Sequence, residues 1–334
     1  MLEAAEMMAA AEKAVRGCRE ARGRPPDPAS DINRTGLIGI EASPVTTTLG
    51  SLEAKRTTTN PNFAGLVVRL FADAGVKRGD VVAVGASSSF PALVVAVLAA
   101  ARAVEVEPVL IWSLGASQWG ANDPAFDGLD IYDCLERGPG PRGRIAALAV
   151  GGDGDRGAEL SPQGRRLIED RIGRSGLPVI DEPDLERNVA ARIRNYFEAA
   201  EGRRIGAFVN IGGSWANIGT DASVLHLAPG LARVEDIPSA GNRGVLQEMA
   251  SRGVPVIHLL NIRGLAAAGG LPWDPSPLPR PGEGEVYEKP ESRAGLSAAF
   301  GSSYLCLAIL ILAPGRKGRR ERGRSVQGGR DGRA

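Results

Sequence analysis

The residues best suited to chemistry stand at the ends of short apolar runs. After Val81 to Gly85 come Ala86-Ser87-Ser88-Ser89-Phe90-Pro91. In open α/β sheets such a strand-to-helix turn faces the ligand crevice, where the first helical N–H groups are unpaired and favour an anion. Ser87 and Ser89 could therefore bind a carboxylate or phosphate; equally, one of them caps the helix that Pro91 begins. Gly85-Ala86-Ser87-Ser88-Ser89 also approximates a nucleophile elbow without its second glycine. The chain has two histidines, and His258 follows Ser87 and Asp153 in the order Ser, Asp, His of α/β-hydrolases. That makes Ser87, Asp153 and His258 the catalytic candidates, although a histidine near a strand end is more commonly a hydrogen-bonded structural residue.

Three further clusters could hold a ligand. Gly151-Gly152-Asp153-Gly154-Asp155 places two carboxylates at one edge, where Asp153 and Asp155 could meet a divalent cation through oxygen; a polar turn is the commoner role of such a stretch. Asn210, Gly212 and Gly213 form another strand-end turn, fit for close approach to a ligand or for a tight bend. Lys55 and Arg56, beside Thr57 to Thr59, could bind an anionic polymer, against the ordinary reading of two cations as solvated surface. Cys18, Cys134 and Cys306 stand far apart with no CxxC, suggesting neither structural zinc nor a disulfide framework. None of these clusters specifies a cofactor.

These residues need a scaffold, and 334 residues with 43% hydrophobic content and a net charge of +1 suffice for a well-buried core. Arginine is concentrated between Arg316 and Arg333, so the body is mildly acidic. Neutralising phosphates takes a clustered basic face, which argues against a nucleic-acid surface on the body. Met1 leads into an Ala- and charge-rich stretch rather than a basic start and an apolar run, which is not the pattern of a signal peptide.

Leu2 to Arg22 has the propensity and apolar stripe of a helix, followed by a linker near Gly23 to Pro26. Residues 31 to 56 show no helical period, and Leu37 to Ile40 look β-like. A helix is expected from Phe63 to Ala74, a strand from Val81 to Gly85, an apolar crossover helix from Ala92 to Val104 and a strand from Pro108 to Trp112. The alternation continues with strand Arg144 to Val150, helix Ser161 to Ser175, short strand Pro178 to Ile180, helix Leu185 to Ala200, strand Ile205 to Ile211, helix Gly244 to Ser251 and strand Val254 to Leu260. The fold class is α/β, a doubly wound, mainly parallel sheet with an N-terminal helix and a C-terminal hydrophobic helix. Five segments follow: helix and linker 1–26, α/β domain 31–269, a Pro/Gly-rich arm 270–293, a possible transmembrane helix 294–313 and a basic, disordered tail 314–334.

Several stretches, in order, resemble the poly-gamma-glutamate system protein family of accessory proteins. They are Ser43-Pro44-Val45-Thr46-Thr47, Ala54 to Thr57, Asn60-Pro61-Asn62-Phe63-Ala64, Ser87 to Pro91, Trp119-Gly120-Ala121-Asn122, Asn210 to Gly213 and Leu271-Pro272-Trp273-Asp274-Pro275. The resemblance spans about Ala9 to Tyr287. It implies a membrane-anchored envelope protein of capsule or exopolymer production, with other poly-gamma-glutamate synthesis and export proteins as partners, and it transfers no catalytic residue. In that family a transmembrane anchor precedes the first helix and a glycine stands at the position of Ser88; this sequence departs at both points. With such an anchor upstream, the body would lie outside the membrane and the arginine tail inside, which is the favoured arrangement; with a C-terminal span alone, the body would lie in the cytoplasm.

Overall fold

The computed structural model describes residues 1–138 and 140–288. Helix α1 (Leu2–Ala21) precedes α2 (Leu52–Thr58) and α3 (Asn62–Asp73). Strand β1 (Val81–Ser87), α4 (Pro91–Ala103) and β2 (Glu107–Ser113) form the first β-α-β unit. A two-residue hairpin, β3 (Asn122–Asp123) and β4 (Phe126–Asp127), leads into α5 (Gly128–Glu136). Then come β5 (Arg144–Ala149), α6 (Pro162–Ser175), α7 (Leu185–Ala200), β6 (Ile205–Ile211), α8 (Trp215–Ile218), β7 (Gly230–Ala232), α9 (Val245–Ser251), β8 (Val256–Leu259) and α10 (Ile262–Gly269).

Six strands pair in the order β5-β2-β1-β6-β8-β7, parallel throughout except for β7, which runs antiparallel at the edge. The chain builds outward from β1 through β2 to β5, then returns to β1's other side with β6. Between β1 and β6 the winding reverses, and crevices in open α/β sheets form at the carboxyl end of such a reversal.

Side chains alternate across the central strands and divide the core in two. Val82, Val84, Leu110, Trp112, Val209 and Ile211 meet α1, α3, α4, α5, α6 and α10 on one face. Val81, Ala83, Val109, Ile111 and Phe208 meet α7 and α9 on the other. Helix α4 has Pro91 through Ala101 buried, because it lies between the sheet and an outer layer of α1 and α3. Each fully buried Val or Leu contributes roughly 1.5–3 kcal/mol of transfer free energy.

Met1–Tyr287 pack as one unit, so the first helix and the arm as far as Tyr287 belong to the body. The arm is stitched to α2 and α3: the Asp274 amide donates to Thr57 Oγ1 at 2.8 Å, and Asn62 Nδ2 donates to the Arg280 carbonyl at 3.0 Å. The Gly282 amide and the Tyr287 hydroxyl both donate to Asn62 Oδ1, at 3.0 and 2.6 Å.

Some sequence expectations need correction. Cys18 on α1 and Cys134 on α5 form a disulfide; the fold brings together two cysteines 116 residues apart, which spacing alone does not reveal. Leu37 to Ile40 form no strand: this buried segment exchanges single hydrogen bonds with Trp119 instead of a ladder. Residues 52–56, expected to lack a helical period, belong to the helix Leu52–Thr58, whose first turn Ser51 Oγ caps by accepting from the Ala54 amide. The Pro178 to Ile180 strand reduces to one bridge, Val179 to Leu148. The hydrophobic segment at 294–313 and the tail at 314–334 lie outside the described residues, among which no helix is long and apolar enough to cross a membrane.

Candidate functional site

A cavity of about 880 Å³ opens at the carboxyl ends of β1 and β2, next to the reversal. Ser87, the last residue of β1, and Ser113, the last of β2, form part of its wall, with Ser89 and Phe90 from the turn into α4. The wall approaches closely because Gly212 lies behind Ser87 with φ +80°, and a Cβ there would stand 3.1 Å from that of Ser87.

Lys55 enters this wall from α2 and is 3% exposed. Its Nζ donates to the Ser89 carbonyl at 2.5 Å and to Ser117 Oγ at 2.7 Å, and lies 3.7 Å from the centre of the Phe90 ring. Burial holds the ammonium down at about 7, since desolvation disfavours the charged form. Ser117, also in the wall, is fixed by its own amide, which donates to Ser89 Oγ at 3.0 Å; the Ser89 amide in turn donates to Ser87 Oγ at 3.2 Å. One lysine and three serines therefore form a single chain of hydrogen bonds along the cavity.

Charge around the mouth is mixed. Arg263, at the start of α10, stacks 4.1 Å from the centre of the Trp273 ring, while Asp153 and Glu159 line the cavity from the turn after β5. Glu159 Oε2 accepts from the Asp153 amide at 2.8 Å and closes that turn. Cations and carboxylates together fit a ligand carrying both carboxylate and N–H groups.

Behind the strand ends, on the α7 face, lies a buried polar layer. Asp155 and Arg192 form a fully buried ion pair at 2.6 Å; Asn188 Nδ2 also donates to Asp155, and Ser113 Oγ donates to Asp155 Oδ1 at 3.3 Å. Asn210 Nδ2 donates to the Gly212 carbonyl at 2.8 Å and to His258 Nδ1 at 3.0 Å. Asn217 sits against Gly85, where a Cβ would approach its Nδ2 to 2.4 Å. Asn210 Oδ1, both amide atoms of Asn217, Ser214 Oγ and Arg192 Nη1 have no partner among the described residues.

Of the residues singled out in the sequence, Lys55, Ser87, Ser89, Asp153 and Gly213 line the cavity. Gly212 and Asn210 support its wall from behind. Arg56 does not face the cavity: its Nε and Nη2 grip Asp274 of the arm at 2.7 and 2.5 Å. His258 is 3% exposed behind the sheet, and burial pulls its imidazole down to about 4, so it stays neutral and accepts from Asn210. Ser87 and Asp153 thus share a cavity that His258 does not line. Asp155 turns into the ion pair with Arg192, away from Asp153, and no group of three or more His, Cys, Asp or Glu side chains fit to hold a metal ion stands among the described residues. Ser113, Ser117 and Arg263 were not singled out, and Trp273 stood only in a stretch that carries the resemblance, not among the site residues. The segment Leu114 to Gln118 follows a strand of the parallel sheet, and that position was the available signal for Ser117.

No family model matches this chain, and comparison with curated proteins and with solved structures gives no match either.

Proposed function

We propose that this chain is a membrane-anchored accessory protein of poly-gamma-glutamate synthesis or export, and that its strand-end cavity holds a segment of a carboxylate-bearing amide chain. The observation that carries the reading is a cavity of about 880 Å³ lined by serine hydroxyls, with Lys55 in its wall and Arg263 at its mouth. The hydroxyls and the Arg263 guanidinium suit carboxylates, while Asp153 and Glu159 suit the N–H groups of the same chain. The Cys18–Cys134 disulfide favours an oxidising compartment, as expected for an extracytoplasmic body. The ordered resemblance of the sequence to poly-gamma-glutamate system proteins supplies the polymer, the membrane and the partner proteins of the pathway.

Oligomers of γ-linked glutamate should raise the melting temperature of the full chain. Ligand at a hundred times its Kd adds about 2.7 kcal/mol of stability. Arg263→Ala should weaken the effect by removing one cation from the mouth. An unchanged melting temperature across millimolar oligomer, alongside a shift with an unrelated anion, would remove the polymer from the reading.

A further inference from the structure

We propose that Lys55 and Ser117 form a nucleophile–base pair that cleaves an amide bond of a chain held in this cavity. The substrate class rests on the reading above; the pair itself rests on geometry. Lys55 Nζ and Ser117 Oγ stand 2.7 Å apart, both residues line the cavity, and both are nearly buried, at 3% and 6% exposure. A serine hydroxyl is a weak nucleophile until a neighbouring base takes its proton, and a lysine serves as that base only when neutral. Two features favour the neutral amine. Burial desolvates Lys55 and holds its ammonium down at about 7, and its hydrogen-bond partners are a carbonyl and a hydroxyl rather than a carboxylate.

The surroundings also orient the lone pair. A neutral amine has two N–H bonds, which the Ser89 carbonyl and the Phe90 ring face receive. Once Lys55 has lost its proton, the 2.7 Å contact in which the ammonium donated to Ser117 Oγ reverses, and the lone pair accepts the Ser117 hydroxyl proton. The Ser117 backbone is held by its N–H, which donates to Ser89 Oγ, and by the Gly120 amide donating to the Ser117 carbonyl at 3.0 Å. Lysine and serine are thus referenced to the same turn at the head of α4.

In the first step Ser117 Oγ attacks the amide carbonyl carbon, a C–O bond forms and the hydroxyl proton passes to Lys55 Nζ. Collapse of the tetrahedral intermediate breaks the C–N bond, and Lys55 returns the proton to the departing amine. Water then attacks the Ser117 ester, giving one proton to Lys55, which restores the serine hydroxyl as the carboxylic acid leaves. The sum is amide plus water yielding acid plus amine.

A serine-directed fluorophosphonate tests the pair without any polymer. The full chain should be labelled at Ser117, as mapped by peptide mass spectrometry, at a rate that climbs as pH rises through about 7. Ser117→Ala should abolish the label. Lys55→Met should slow labelling at least about 100-fold, the usual contribution of a positioned base. Lys55→Arg should not restore it, because a guanidinium stays charged. Near-UV circular dichroism and the intact disulfide report folding of each variant.

No label on folded wild-type chain, label at Ser87 or Ser89 instead, or equal labelling of folded Lys55→Met would each overturn the pair. Labelling of Ser117 together with no binding of γ-glutamate oligomers would uphold the pair and reject the polymer.

Discussion

Glu12 lies in α1 at 6% exposure, and its Oε1 meets no partner among the described residues. Burial, reinforced by the nearby Asp31 carboxylate, raises its pKa well above the usual value. An unfolded chain releases this proton at ordinary carboxylate pH, whereas the native chain keeps it. The native state therefore binds more protons between the two values, and stability falls as pH rises through that window. Glu12→Gln, which imitates the protonated carboxyl, should match wild type near pH 4 and exceed it by at least about 1 kcal/mol at pH 7, read from urea midpoints. Lys55 presents the same problem with the opposite charge. Neither burial was legible in the sequence, because a Glu in an amphipathic helix and a Lys-Arg pair beside threonines both read as solvated. What decides Lys55 is the neighbours contributed by distant segments, Ser89 and Phe90 from the turn into α4 and Ser117 from the loop after β2.

Strands β1, β2, β5 and β6 and helices α1, α3, α4, α6 and α7 were legible because each carries a sustained apolar period or a clear end signal, such as Ser161 before Pro162. Helices α5 and α10 were not, being eight or nine residues long and set by local caps at Asp127 and Asn261. The edge strand β7 has three residues and pairs only by virtue of β8. At the site, the glycine and serine turns were readable as strand ends, whereas Ser117 lay in a loop with no pattern of its own. The same scale governs the link between α7 and the turn after β5, where Arg192 neutralises Asp155 in a fully buried pair. Arg192→Met should cost about 3–5 kcal/mol in urea denaturation, because it strands a buried carboxylate. It should also loosen Ser113, which donates to that carboxylate at the floor of the cavity.

Across the whole molecule, the disulfide closes a loop of 116 residues that contains α2, α3 and the first β-α-β unit. Loop entropy of that size corresponds to roughly 4–5 kcal/mol in the denatured chain, with 2–5 kcal/mol usual in practice. Reduction, or Cys18→Ala with Cys134→Ala, should lower stability by that amount in equilibrium denaturation while leaving the far-UV spectrum unchanged at 25 °C. Fold class was visible from alternation alone, but this cross-link joins the first helix to a helix that the sequence did not announce. The strap from Leu271 to Tyr287 carries a mechanical corollary. It is fastened to Asn62 through Tyr287 and Gly282 and to Arg56 and Thr57 through Asp274, so a pull on the chain beyond Tyr287 is borne first by Asn62 at the head of α3 and only then by the short helix that holds the amine in place. Asn62 therefore acts as a cleat that shields the lysine-bearing helix from tension until its own hydrogen bonds give way.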